Sequence, residues 1–214
     1  MIEFRNIFLL FLTYSIIGWL IEIINIYFYT KKIANRGFLI GPYCPIYGVG
    51  AIILTFIFNY ANDDLFGIFA KTMIVCALLE YTTSYIMEKM FNKRWWDYTN
   101  RKYNLNGRVC LENLVLFGIA GCFLVKFTNP FFKNLITLLP DSIANIVSIA
   151  SAIIFICDII VSFKFVNKLK DIKFNSKDST NEIKDKMYDN LNYITKRMIT
   201  AFPQLKESKL RKKS

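Results

Sequence analysis

The chain has 214 residues, 54% of them apolar, a mean hydropathy of +0.34 and a net charge of +11. The apolar residues fall into runs about twenty long, enough for an α-helix to cross a bilayer core of roughly 30 Å, and this argues against a soluble bundle. There is no histidine, and the five cysteines lack CxxC spacing; both facts weigh against a zinc site, a disulfide framework and Ser-His-Asp or Cys-His catalysis, and no cofactor or metal is expected.

In chain order the runs predict five spans, Ile7–Phe28, Phe38–Tyr60, Phe66–Met87, Leu111–Phe127 and Ile143–Val166. The first is a span rather than a cleaved signal, because it lacks a basic leader and carries Glu22 and Asn25 where small residues would precede a cleavage site. The fourth is the shortest and has Asn129–Phe132 available to lengthen it. Twenty-three of the 27 lysines and arginines lie after span one, after span three, or from Lys164 onward. In a five-span arrangement these segments share one side, so the positive-inside tendency puts them in the cytoplasm and the N-terminus outside. Basic residues that flank spans are expected to meet anionic lipid rather than nucleic acid.

The expected architecture is an all-α integral membrane protein, with a transmembrane domain over residues 1–166 and a basic cytoplasmic tail over 167–214. In the tail, Ser179-x-x-Glu182 has capping-box spacing, and Ile183, Met187, Leu191, Ile194 and Met198 follow at helical intervals. An amphipathic helix is expected over about 180–202, set on the inner leaflet, on a partner or on the protein itself.

Ionisable residues inside spans cost about 2.5–3.5 kcal/mol each on insertion scales and need a reason to be there. Glu22, Glu80 and Asp158 occupy the inner parts of spans one, three and five, at similar expected depth. Each shares a helix face with polar neighbours: Ser15, Gly18 and Asn25 with Glu22; Ser84 and Glu88 with Glu80; Ser148, Ser151 and Ser162 with Asp158. Such stripes either line a polar pocket open to the cytoplasm or act as interior structural contacts.

Span two begins irregularly. Residues 35–50 hold four of the nine glycines and two of the five prolines, Pro42 and Pro45. Broken backbone at membrane depth survives only when buried in protein or lining a wet cavity, so Arg36, Tyr43 and Tyr47 join the pocket candidates, unless the stretch is simply a kinked helix entrance. After span three, Arg94-Trp-Trp96-Asp97-Tyr98 leads to Asn106-Gly-Arg108. The tryptophans suit a headgroup layer, Asn-Gly marks a turn, and Arg94, Arg101 and Arg108 suit a phosphate, a carboxylate or the inner glutamates.

Three of these segments carry a family resemblance: Tyr14-Ser-Ile-Ile-Gly-Trp-Leu-Ile-Glu22, Asn35-Arg-Gly-Phe-Leu-Ile-Gly-Pro-Tyr-Cys-Pro-Ile-Tyr-Gly48, and Glu80-Tyr-Thr-Thr-Ser-Tyr-Ile-Met-Glu88 with the Arg94–Tyr98 and Asn106–Arg108 blocks. Together, over roughly Phe8 to Gly121, the chain resembles the bacterial CmpB-like family of type IV ABC-transporter permeases. The resemblance implies a multi-pass protein of the bacterial inner membrane, a permease subunit working with a separate ATP-binding subunit. It supplies no catalytic residue. No glycine here is followed by lysine, so a Walker A loop is absent and the chain is not expected to be an ATPase enzyme. Five spans are few for a lone transporter, which favours a homo-oligomer or larger complex. The competing expectations are a membrane-embedded enzyme acting on a lipid or phosphorylated substrate at the inner leaflet, and a scaffold whose tail recruits partners.

Overall fold

The computed structural model describes residues 2–31, 37–58, 63–91 and 94–171. The tail helix expected near 180–202 and Arg36 lie outside the described residues. The described residues form six α-helices: α1 (Ile2–Thr30), α2 (Pro45–Ile57), α3 (Leu65–Phe91), α4 (Leu111–Phe123), α5 (Asn129–Thr137) and α6 (Asp141–Asp171). A π-helical turn over Leu124–Thr128 joins α4 to α5. Leu111–Thr137 is therefore one long segment, and the fourth predicted span extends past Phe132, as its short apolar run required.

Among the described residues, four segments are long and apolar enough to cross a membrane: Glu3–Phe28, Leu65–Phe91, Leu111–Thr137 and Asp141–Lys164. The second predicted span differs. Residues 37–44 are not helical, and only the 13 residues of α2 follow, a rod of about 20 Å. The reason is local. Pro42 and Pro45 remove two backbone donors and bias Gly41 and Cys44 away from helix, so helix starts only where Pro45 occupies a first-turn position that needs no donor.

The surface is inverted relative to a soluble protein. Large apolar side chains face outward, for example Phe56, Ile74, Leu116 and Ile153, while Ser15, Thr72, Ser84 and Ser162 are at most 2% exposed. Between helices in lipid, hydrophobicity gives no advantage to burial, and close packing of small and polar residues holds the bundle instead. At the α1–α2 crossing a Cβ added to Gly48 would lie 2.2 Å from Ser15 Oγ and 2.5 Å from the Phe11 carbonyl oxygen. At the α3–α4 crossing, one added to Gly121 would lie 2.4 Å from the Thr72 side chain.

Side-chain contacts set the helix directions. Near the start of α1, Arg5 pairs with Asp141 at 3.0 Å and donates to Asn145 Oδ1 at 2.9 Å, so α1 and α6 begin together. Toward their other ends, Phe38 stacks with Phe91 of α3 and Phe163 of α6. Helices α1, α3 and α6 thus run parallel, and the α4–α5 segment returns between them. The chain is a multi-pass membrane protein.

Candidate functional site

Three polar constructions occupy the half of the bundle where α1, α3 and α6 end. The first surrounds Asp158. Its Oδ1 accepts from the Ile40 amide at 3.1 Å and Ser162 Oγ at 2.8 Å, and its Oδ2 accepts from the Gly41 amide and the Tyr43 hydroxyl, both at 2.6 Å. Four donors thus converge on one carboxylate, two of them amides freed by the break before α2. A further bond ties the same segment to α1, from the Cys44 amide to the Ser15 carbonyl oxygen at 2.8 Å. Gly41 is needed at this point, since an added Cβ would lie 2.7 Å from Asp158 Oδ2.

The second construction joins α1, α2, α3 and the following loop. The Tyr47 hydroxyl donates to Glu22 Oε1 at 2.6 Å, and the Tyr98 hydroxyl approaches Glu80 Oε1 at 3.4 Å. The two pairs are neighbours: Glu80 is within electrostatic reach of Glu22, and Tyr47 of Tyr98. Glu80 is 8% exposed, yet its Oε2 has no hydrogen-bond partner among the described residues. Tyr47 reaches Glu22 because Gly18 lies beneath its ring; a Cβ there would lie 2.3 Å from the ring.

The third construction is a clasp on Glu88 of α3. Glu88 Oε2 accepts from Arg108 Nη2 at 2.7 Å and from Arg94 Nε at 3.2 Å. Arg108 also donates to Ser84 Oγ at 3.2 Å and lies over the Tyr81 and Tyr85 rings. The loop that delivers these arginines closes through a small hairpin, Asn104–Leu105 against Val109–Cys110. Its turn needs two left-handed residues, and Asn106 and Gly107 supply φ of 53° and 66°. Trp96 donates its indole N–H to the Arg108 carbonyl at 2.9 Å, and the Tyr98 amide donates to the Gly107 carbonyl at 2.8 Å. Asp97 organises the strand between. Burial alone would push its carboxyl up, but the Thr99 amide and hydroxyl and the Arg94 guanidinium outweigh that and hold it below the ordinary aspartate value.

A family model described as "Putative ABC-transporter type IV" matches residues 9–163. The chain belongs to this family. The match takes in all three constructions and the spans that carry them, and it places the chain among the membrane components of transport systems. No curated protein and no solved structure matches the chain.

Within this ABC-transporter-type chain the candidates drawn from sequence do not form one pocket. Pro42, Tyr43 and Asp158 belong to the carboxylate nest, with Pro45 opening α2 just beyond it. Glu22, Tyr47 and Glu80 belong to the tyrosine–glutamate cluster. Ser84, Arg94, Trp96, Asp97 and Arg108 belong to the clasp and its loop. Arg101 pairs with Glu112 at 3.1 Å, on the outside of the loop. Trp95 is 3% exposed and packs on Phe38 and Phe91, so its ring is covered by the protein itself.

Sequence reasoning left out of the candidate set five participants: Tyr98, Glu88, Ser162 and the amides of Ile40 and Gly41. Glu88 and Ser162 carried a signal, because each lies on the polar stripe of its helix, four residues from Ser84 and Asp158 respectively. The two amides carried none, since every residue but proline has one.

Proposed function

We propose that the chain is the permease subunit of an ABC-type transporter in the bacterial inner membrane, with its basic loops and C-terminus in the cytoplasm. The solute site is the Glu22–Tyr47–Tyr98–Glu80 cluster near the cytoplasmic face. The observation that carries this reading is Glu80, a nearly buried carboxylate with one oxygen unpartnered. A buried acceptor left unsatisfied costs about 1–3 kcal/mol, and a group kept at that cost inside a transport-family bundle is best explained by a ligand that completes it. Around it, α1, α2, α3 and the clasped loop each contribute a side chain, so relative movement of these elements alters the site.

ATP hydrolysis is assigned to a separate subunit, and a second copy of the chain supplies the remainder of a pathway that few spans cannot enclose. The enzyme reading has weaker support, because Arg94 and Arg108 are already engaged by Glu88 and a phosphate would have to displace that carboxylate. The test is uptake into proteoliposomes by the complex purified with its ATPase. Glu80→Gln should reduce uptake at least tenfold while thermal unfolding changes little. Unchanged uptake in that variant, or purification with no ATPase and no transport at all, refutes the assignment.

A further inference from the structure

At the other end of the bundle, the turn between α4 and α5 is widened for a covalent reason. Pro130 has no N–H, and its ring would collide with the Lys126 carbonyl four residues back in a regular helix. The π turn absorbs the conflict, with the Asn129 amide donating to the Leu124 carbonyl five residues back. Val125, Asn129 and Lys133 then follow one another at intervals of four along one face. With Pro130 and Phe58 from the end of α2, they line a cavity of about 180 Å³.

Asn129 is 6% exposed, and its Oδ1 accepts no hydrogen bond from any of the described residues. Among the described residues no carboxylate pairs with Lys133 or Lys71, and the Lys71 ammonium lies 5.5 Å from the Phe58 ring. The cavity therefore offers one unsatisfied acceptor, the Lys133 ammonium and an apolar wall, with the Lys71 ammonium held over the ring of its Phe58. Beside it on the same segment, Phe127 and Phe131 are exposed where hydrocarbon would cover them.

We infer that this cavity binds the headgroup of an anionic phospholipid bearing a free hydroxyl, of the phosphatidylglycerol type. The phosphodiester meets Lys133 and Lys71, a headgroup hydroxyl donates to Asn129 Oδ1, and the acyl chains leave along Phe127 and Phe131. Each part of the ligand matches a feature of the wall: charge to charge, donor to orphaned acceptor, chain to exposed ring.

The test compares phosphatidylglycerol with phosphatidylmethanol, which carries the same charge but no hydroxyl. Binding of each to the full-length protein in mixed micelles is read by native mass spectrometry. The wild type should prefer phosphatidylglycerol by about tenfold, the worth of one hydrogen bond to an otherwise unsatisfied buried acceptor. Asn129→Leu should erase the preference with folding intact by thermal unfolding, whereas Lys133→Ala should weaken both lipids alike and keep the preference. Equal binding of the two lipids by the wild type, or a preference that survives Asn129→Leu, overturns the inference. Displacement of the lipid by sn-glycerol 1-phosphate at a comparable concentration overturns the lipid assignment and makes the cavity a site for a free solute.

Discussion

Replacing Asp158 by Asn tests whether the broken segment before α2 is held by that carboxylate. The two amides, the Tyr43 hydroxyl and Ser162 Oγ all donate, two to each carboxylate oxygen. An Asn amide keeps the shape but turns one oxygen into an NH₂, so in either orientation one backbone amide faces a donor, while the hydroxyl beside it can turn to accept. Bonds to a charged acceptor contribute about 1.5–3 kcal/mol each, so losing one costs about that much, and loss of the charge weakens the other three as well. For a chain of this size that is a Tm reduction of at least about 5 °C. Cys44 provides a local readout, because its thiol is buried and its amide is bonded to Ser15 at the end of the segment. Alkylation of Cys44, followed by peptide mass spectrometry, should accelerate at least tenfold in Asp158→Asn. Ser162→Ala, which removes one donor and leaves the charge, should cost about 1.5–3 kcal/mol, the worth of that single bond. If Cys44 labelling and Tm in Asp158→Asn match the wild type, the nest is not what holds the segment and the reasoning fails.

Two further outcomes are expected. Gly48→Ala should destabilise the α1–α2 crossing by about 1–3 kcal/mol, the usual cost of overpacking, and Ser15→Ala should rescue it only partly, because the Phe11 carbonyl remains 2.5 Å from the new Cβ; full rescue in thermal unfolding would contradict the geometry. Acidification should loosen the loop around Asp97. Its carboxyl is held below the ordinary value of about 3.9, so its contribution is present above that pH and is lost as pH falls through the lower folded value. Tryptophan fluorescence from Trp95 and Trp96 should therefore shift below about pH 4 in the wild type and be blunted in Asp97→Asn.

The positions of the helices were legible because crossing a membrane demands length and apolarity, which are additive along the chain. Each of the four long spans is found where its apolar run lies, and the irregular start of span two was signalled by Pro42 and Pro45. The length of α2 was not, because hydropathy does not distinguish helix from extended backbone. The stripes on α1, α3 and α6 marked Glu22, Glu80 and Asp158 as inward, but gave no partners for them.

What the sequence by itself determined is the class of the protein, the helical faces and the local chemistry of its breaks: proline without a donor, Asn-Gly in a left-handed turn, carboxylates too costly for lipid. Which groups meet was decided only by the tertiary structure. Asp158 is saturated by amides about 118 residues away, Glu88 takes the two arginines, and Glu80 keeps an unpartnered oxygen. Periodicity constrains neighbours three or four residues apart, whereas these pairings depend on how closely helices approach. That approach is set by glycine-sized gaps such as Gly18 and Gly48, and a one-dimensional pattern does not say against what they close.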